Sequence, residues 1–238
     1  MATLVEMFAS QIGWNIGKYN VVVEGTSDVG ILQHAATLHA QASGVNPLAD
    51  DFAVVASGLR DDGGVEGVNR RLGAARQNAD ADRDANGLLK YRFIGLFDND
   101  HAGKKAFRLA SAIDRRVVRY RDVFLLHPNM PIANSYPVSG LEQSASLLNA
   151  PYSGLDWEIE DSLSESFKLR FQSSNPRAIS NILSRGNRTH LELTREGKRA
   201  FSLFVRNNAK HKEMADTIRL ICALRSYLGI PHSHIISP

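Results

Sequence analysis

The chain has 238 residues, of which 43% are hydrophobic and 22% are charged, and its formal net charge is +3. A chain of this length can bury a substantial core, and its composition is that of a globular protein rather than a disordered or fibrous one. Its apolar runs all fall short of the ~20 residues that a membrane-spanning helix needs, so we expect no membrane partner.

The N-terminal stretch and the cysteine content predict the cellular location. The opening segment MATLVEMFASQIGW contains Glu6 and no positive leader, so we expect no secretory signal. Cys222 is the single cysteine, which excludes an internal disulfide and favours a reducing compartment. We therefore expect a cytoplasmic protein.

Charge is distributed unevenly along the chain. Residues 162–238 hold 13 Lys and Arg against 5 Asp and Glu, whereas residues 1–161 hold 15 against 20. An acidic half thus precedes a basic half, as expected of a protein that holds a cation in one part and attracts phosphate with another. A drift of surface charge without function is the alternative.

The first predicted elements are an amphipathic helix and a buried strand. Apolar residues at helical spacing predict the helix over residues 2–16. The segment YNVVVEGTSD, residues 19–28, reads as a strand that ends at Glu24 and leads into a helix reaching about residue 41. Asp28 falls in the first turn of this helix, where it either faces the same crevice as Glu24 or only complements the helix dipole.

A second strand, at residues 52–56, precedes the glycine-rich segment SGLRDDGGVEGV and a helix over residues 65–78. Glycines after a strand allow backbone amides to approach a phosphate, although a flexible turn is the simpler reading. A P-loop is excluded, because no Gly-Lys-Ser/Thr follows. The acids of ADADRDANG, residues 79–87, are not followed by the glutamate of a calcium loop, so we expect a surface loop there.

The segment YRFIGLFDND, residues 91–100, predicts another buried strand, which ends at Asp98 and Asp100. In open α/β sheets ligands bind beyond the carboxyl ends of the strands. Three carboxylates meeting there would repel one another unless a cation neutralised them, and oxygen-only ligands suit Mg²⁺ or Mn²⁺. We therefore predict a divalent-metal site for phosphodiester chemistry, formed by Glu24, Asp98 and Asp100.

A helix is predicted directly after this strand, over residues 101–114. Lys104 and Lys105 lie in its early turns, close enough to the acids to meet a phosphate of a nucleic acid. His101, beside Asp100, can be a general base, although an exposed polar residue is the favoured interpretation.

Two further strands, at residues 116–119 and 122–127, complete the predicted sheet. A loop with three prolines then follows and marks a boundary or a substrate-facing flap. We therefore expect a catalytic core with an N-terminal helix over residues 1–127. Residues 128–238 would form a loop and a mainly helical, basic extension that completes the site.

A third acidic motif opens the extension. The segment WEIEDSLSESFKLR, residues 157–170, places Glu158, Glu160 and Asp161 before a helix. These are either metal-site acids or ordinary acids that complement a helix N-terminus.

The rest of the extension is predicted to contain a short strand at residues 190–193 and helices over residues 195–207 and 210–228. Basic side chains at the starts of these helices are candidates for contact with nucleic acid or phosphate: Lys198, Arg199, Lys210 and Lys212.

Glu24-Gly25 after one strand and Asp98-x-Asp100 after another resemble the Toprim domain of topoisomerases, primases and OLD-family nucleases. The likeness is greater to the OLD-type nucleases, which have a second acid where Asp28 stands and an Ile-Glu-Asp segment like that ending at Asp161. It covers residues 18–126, with a weaker part at 156–216.

The resemblance implies an α/β fold with a Toprim-like, Rossmann-like parallel sheet flanked by helices. It implies that Glu24, Asp98 and Asp100 bind one or two Mg²⁺ or Mn²⁺ ions, with Asp28 and Glu160 completing the second site. It also implies a lysine near the start of a late helix, a role that Lys212 or Lys210 would fill and for which Lys198 competes.

The implied activity is hydrolysis of phosphodiester bonds in DNA, less readily RNA. By analogy with Toprim nucleases of phage defence, a chain without a P-loop would serve a separate ABC-type ATPase. A homo-oligomer is an open option. The alternatives are a catalytically silent nucleic-acid-binding or regulatory subunit, and a primase-like or topoisomerase-like module, for which no tyrosine has an evident claim.

Overall fold

The computed structural model describes residues 2–58 and 63–235, and the chain divides into two compact units. The first unit comprises Met1–Val29, Leu48–Phe97 and His101–Leu125. The second comprises Gly30–Pro47, Asp98–Asp100 and Leu126–Pro238. Two short segments from the predicted catalytic core, including the Asp-x-Asp motif, thus belong to the second unit.

A parallel sheet organises the first unit. Its strands are β1 (Tyr19–Val23), β2 (Phe52–Ala56), β3 (Arg92–Phe97) and β4 (Val123–Leu125), in the order β2-β1-β3-β4. Every neighbouring pair is parallel, and Val22 of β1 is paired with Gly95 of β3. The predicted α/β class with a parallel sheet flanked by helices is therefore confirmed.

Helices pack on this sheet because the strands are apolar on both faces, as buried parallel strands are. These helices are α3 (Gly64–Ala81) and α4 (His101–Ile113), and α1 (Leu4–Gln11) packs on α3. Helix α2 (Thr26–Ser43) begins in the first unit and continues in the second. The core joins Phe97 of the sheet to Leu72 of α3 and Phe107 of α4. A Cβ on Gly95 would lie 2.9 Å from Leu72 Cδ2, so glycine at this position allows α3 to approach the sheet closely.

The first helix is shorter than predicted. A capping box between Thr3 and Glu6 starts α1, and the amide of Val5 donates to Asp82 Oδ2 at 2.8 Å. The helix ends before Gly13, whose φ of 71° lies in the left-handed region. The predicted span of residues 2–16 was therefore too long, because a glycine turn interrupts the apolar spacing.

The strand predicted at residues 116–119 does not form; Arg119 makes one isolated bridge to Val123. Aspartate side chains turn this backbone instead: Asp114 Oδ1 accepts from the amide of Arg116 at 3.0 Å, and Asp122 Oδ2 accepts from that of Val118 at 2.8 Å. The strand predicted at residues 122–127 is shorter than expected and forms only over β4, Val123–Leu125.

The loop segments differ less from expectation. The helix predicted over residues 65–78 extends to Ala81, and Asp84 Oδ1 then accepts from the amides of Asn86 and Leu88 in an exposed turn. Part of the predicted glycine-rich segment, residues 59–62, lies outside the described residues. Within the described ranges, no helix combines the length and the apolar character needed to cross a bilayer.

The second unit combines helices with an antiparallel hairpin. Its elements are α5 (Leu141–Asn149), α6 (Glu165–Ser174), β5 (Ile179–Arg185), β6 (Arg188–Leu193), α7 (Arg195–Asn208) and α8 (Ala215–Leu228). Aromatic side chains of α6 and α7 form part of its core, with the rings of Phe171 and Phe201 4.8 Å apart. The helix predicted from residue 210 starts later, because a 3₁₀ turn, His211–Met214, precedes α8.

Candidate functional site

The predicted acids follow two neighbouring strands. In the first unit, β1 and β3 are parallel and adjacent, so their carboxyl ends lie at the same edge of the sheet. Glu24 is the first residue after β1, and Asp98 is the first residue after β3. Both motifs therefore occupy the strand ends that their sequences predict.

The turn that contains Glu24 is held by its backbone. The carbonyl oxygen of Glu24 accepts from the hydroxyl of Ser57 at 2.8 Å and from the amide of Gly64 at 3.1 Å. A Cβ on Gly63 would lie only 3.0 Å from the same oxygen. The glycines after β2 thus allow a close approach to the end of β1.

Asp28 has a clear local role in the turn between β1 and α2. Its Oδ2 accepts from the amide of Gly25 at 2.8 Å, and its Oδ1 accepts from the hydroxyl of Ser27 at 3.1 Å. The side chain is buried. These bonds close the turn at the start of α2, because the acid in the first turn reaches back to the amide of the residue before the helix.

In the second unit, the Asp-x-Asp segment is joined to the third acidic motif by its backbone. The amide of Asn99 donates to the carbonyl oxygen of Trp157 at 2.8 Å, and Asn99 Nδ2 lies 3.2 Å from His127 Nδ1. Asp98 and Asn99 are buried, and Asp100 is half-buried. The structure thus brings together two motifs that are about sixty residues apart in sequence.

The third motif forms a 3₁₀ turn, Ile159–Ser162, rather than the start of an α-helix. Glu160 lies within it and is 2% exposed, and Ser162 Oγ donates to the carbonyl oxygen of Ile159 at 2.6 Å. The following helix, α6, begins only after Ser164, whose side chain caps it. Glu158 and Glu160 are therefore fixed on a short turn that packs in the core.

Lys198 is the cation among these acids. Its Nζ lies 2.9 Å from Glu158 Oε2, and its side chain is 39% exposed. Burial acts to lower the pKa of Lys198, but the negative charges of Glu160, Glu158 and Asp98 outweigh it and raise the pKa above its usual value. We call Asp98, Glu158, Glu160 and Lys198 the carboxylate–lysine cluster.

Burial and a neighbouring cation act in opposite directions on the pKa of Glu158 in this cluster. Burial raises the pKa of Glu158, and the charge of Lys198 acts in the opposite direction. Three carboxylates with one ammonium leave a formal excess of negative charge.

The start of α7 determines where Lys198 lies. Thr194 caps the helix by accepting from the amide of Gly197 at 2.9 Å. A Cβ on Gly197 would lie 2.0 Å from the carbonyl oxygen of Ala178, so only glycine allows this contact. Lys198 follows immediately and is therefore held in the first turn of α7.

Most of the other predicted basic residues are exposed. Lys210 and Lys212 are exposed at the 3₁₀ turn before α8, where the amide of Lys210 donates to Glu213 Oε2 at 2.9 Å. Arg199 is exposed on α7. In the first unit, Lys104 is half-buried and Lys105 exposed in the early turns of α4, whose first residue, His101, is exposed.

Sequence reasoning missed one pair of buried polar residues in the second unit. His190 Nδ1 lies 2.7 Å from Asp161 Oδ2, and the two residues are 4% and 1% exposed. Burial acts to lower the pKa of His190, but the bond to Asp161 and the charges of Asp161 and Glu158 raise it. The two residues are far apart in sequence, and no local pattern signals their contact.

No family model, curated protein or solved structure matches this chain.

The carboxylate–lysine cluster has oxygen ligands of the kind that a divalent metal prefers, but its side chains are not arranged as a complete metal site. Across residues 2–58 and 63–235, no group of three or more His, Cys, Asp or Glu side chains is placed so that it could hold a metal ion alone. Mg²⁺, however, commonly uses one or two carboxylates and completes its shell with water and substrate phosphates. The oxygen-only donors and negative excess of the carboxylate–lysine cluster suit such an ion.

Proposed function

We propose that this chain is a Toprim-like nuclease that depends on Mg²⁺ or Mn²⁺ and hydrolyses phosphodiester bonds in DNA, or less readily in RNA. One observation supports it above the others: Lys198 Nζ lies 2.9 Å from Glu158 and interacts electrostatically with Glu160 and Asp98. Partly buried acids grouped around one lysine are costly for stability alone and are typical of sites that handle charged substrates.

In this proposal Asp98 and Glu160 bind the divalent ion, with water and substrate phosphate completing its shell, and the sequence resemblance adds Glu24 and Asp100 to the acids of the site. The participation of Glu24 is supported by the sequence resemblance alone. When bound, the ion would supply an activated water and would stabilise charge on the attacking and leaving oxygens. Asp28 has a supporting role, because its carboxylate closes the turn after Glu24.

The catalytic lysine of the proposal is Lys198 rather than Lys212. Its ammonium would offset the negative charge that develops on the phosphate during hydrolysis. Lys198 is already directed at the acids by its bond to Glu158, whereas Lys212 is exposed on the turn before α8. Lys212 and Lys210 then belong, with Arg199, to the residues that bind the nucleic-acid backbone.

Lys104 and Lys105 would contribute to the same binding, since they are in the first turns of the helix that follows Asp100. Contacts of this kind are largely electrostatic, so the affinity should fall steeply with salt. We further propose a cytoplasmic protein that works with a separate ATPase in defence against phage. This part is supported only by the sequence resemblance and by the lack of a P-loop in the sequence.

Plasmid cleavage by the purified full chain tests the proposal. We expect nicking with Mg²⁺ or Mn²⁺ and none with EDTA. The cleavage rate of Lys198→Ala should be lower by about 100-fold or more, consistent with removal of one charge-stabilising group. Glu160→Gln and Glu24→Gln should also be inactive. Lys212→Ala is the matched control, an exposed lysine whose loss should change binding more than turnover.

Cleavage that survives EDTA and the Glu24→Gln substitution would overturn the proposal. DNA binding without turnover under any divalent ion would also overturn it and would favour the catalytically silent subunit.

A further inference from the structure

The Asp161 carboxylate in the second unit contacts three groups: the backbone amides of Glu158 and Leu191 and the ring of His190. Its Oδ2 accepts from the amide of Glu158 at 2.9 Å and lies 2.7 Å from His190 Nδ1. Its Oδ1 accepts from the amide of Leu191 at 3.1 Å. An ionised carboxylate only accepts hydrogen bonds, so Nδ1 of His190 is the donor in this contact.

These bonds attach the turn that contains Glu158 and Glu160 to strand β6. The same strand leads through the cap residue Thr194 into α7, which contains Lys198. The two partners of the Glu158–Lys198 ion pair are thus held by one frame: Glu158 through Asp161, and Lys198 through the end of β6. His190 is the side chain of that frame that donates to Asp161 from β6.

We propose that His190 is a positioning residue for the nuclease site, acting through Asp161 to hold Glu158 against Lys198. The proposal rests on the function proposed above. His190 neither contacts substrate nor exchanges a proton in it. Its donor bond keeps the buried Asp161 carboxylate in the rotamer that also accepts from Glu158 and Leu191, because a buried carboxylate that loses a donor must move or find another.

The geometry separates this role from simple packing. Asn at position 190 can present its amide nitrogen close to the place of Nδ1, whereas Phe retains the ring volume and loses the donor. A packing role predicts that Phe is the better substitute, and a positioning role predicts that Asn is. Thr189→Val is a matched control on the same strand, since it removes the side-chain contact of Thr189 with Ser184 and leaves His190 in place.

The first readout is independent of catalysis. In the full chain with ¹³C-labelled lysine, the Cε resonance of Lys198, assigned from the Lys198→Arg spectrum, reports its pairing with Glu158. We expect it to move toward the position of exposed lysines in His190→Phe, and to stay in place in His190→Asn and Thr189→Val. An unchanged resonance in His190→Phe, or an equal displacement in His190→Asn, would overturn the proposal.

The second readout is plasmid cleavage. We expect kcat to fall about 10- to 100-fold in His190→Phe with KM within about threefold, as for other partners that orient site residues, and His190→Asn to restore most of it. A fall in kcat in His190→Asn as large as that in His190→Phe would contradict the positioning role. If the wild-type chain cleaves nothing, the proposed function fails, while the Lys198 resonance still decides whether His190 positions the ion pair.

Discussion

His39 and His211 face each other in the second unit, with Nδ1 of His39 2.9 Å from Nε2 of His211 and the ring centroids 5.1 Å apart. One nitrogen donates and the other must accept, so the contact requires at least one neutral ring. Burial lowers the pKa of His39, and the nearby His211 lowers it further. The folded state therefore prefers His39 neutral.

This pair predicts a loss of stability in acid. The unfolded chain takes up a proton at His39 near pH 6.5, and the folded chain does so only at lower pH, so the free energy of unfolding should fall as the pH drops through 6.5. His39→Phe should be less stable than wild type at pH 8, by about 1 kcal/mol, and the difference should shrink by pH 5.

Urea unfolding of wild type and His39→Phe between pH 5 and pH 8 measures this, with the exposed His101→Gln as the control. A difference that stays constant or grows on acidification would show that His39 is not held neutral.

Gly197 gives a second prediction, on stability and site geometry together. Gly197→Ala would place its Cβ 2.0 Å from the Ala178 carbonyl oxygen, so the start of α7 must shift. We expect a loss of about 1–3 kcal/mol, the usual range for overpacking, together with reduced DNA cleavage because Lys198 is displaced. Urea unfolding and cleavage assays of the same preparation measure both.

The matched control is Gly73→Ala in α3, where an added Cβ meets no atom within 4 Å. This change should raise stability by about 0.5–1 kcal/mol, as is usual in helix interiors. Equal effects of the two substitutions would argue against the close contact at Gly197.

Cys222 should be chemically inert in the folded protein. Burial raises the pKa of its thiol to about 11, and the side chain is fully buried in α8. Because the thiolate is the reactive form, a disulfide reagent at pH 8 should label the chain only after denaturation. Stoichiometric labelling of the native protein on mixing would contradict the buried placement of α8.

Local patterns were sufficient to predict the elements that deliver the first acids. The apolar runs before Glu24 and Asp98 form β1 and β3. Parallel strands that are buried on both faces have nearly continuous hydrophobic sequences, so they can be recognised locally. Strand β5 was not predicted because nearly all of its residues are exposed and many are polar. Aspartate bonds to the backbone likewise prevented the strand expected at residues 116–119.

The candidate site itself depends on contacts that no local pattern contains. Lys198 and Glu158 are forty residues apart, and His190 and Asp161 are separated by 29. Lys198 and Lys212 both stand near the start of a late helical segment, so the sequence alone could not distinguish them. In the folded chain Lys198 pairs with Glu158, and the glycine contact at Gly197 places the start of α7, which is why we propose Lys198 for the catalytic role.

The most direct test of the central claim is an anomalous difference map from a crystal of the full chain soaked in Mn²⁺. We expect a peak in direct coordination with carboxylate oxygens of Asp98 and Glu160, which is lost in Glu160→Gln. A map at saturating Mn²⁺ with no peak at these carboxylates, or with the peak unchanged in Glu160→Gln, would contradict that claim.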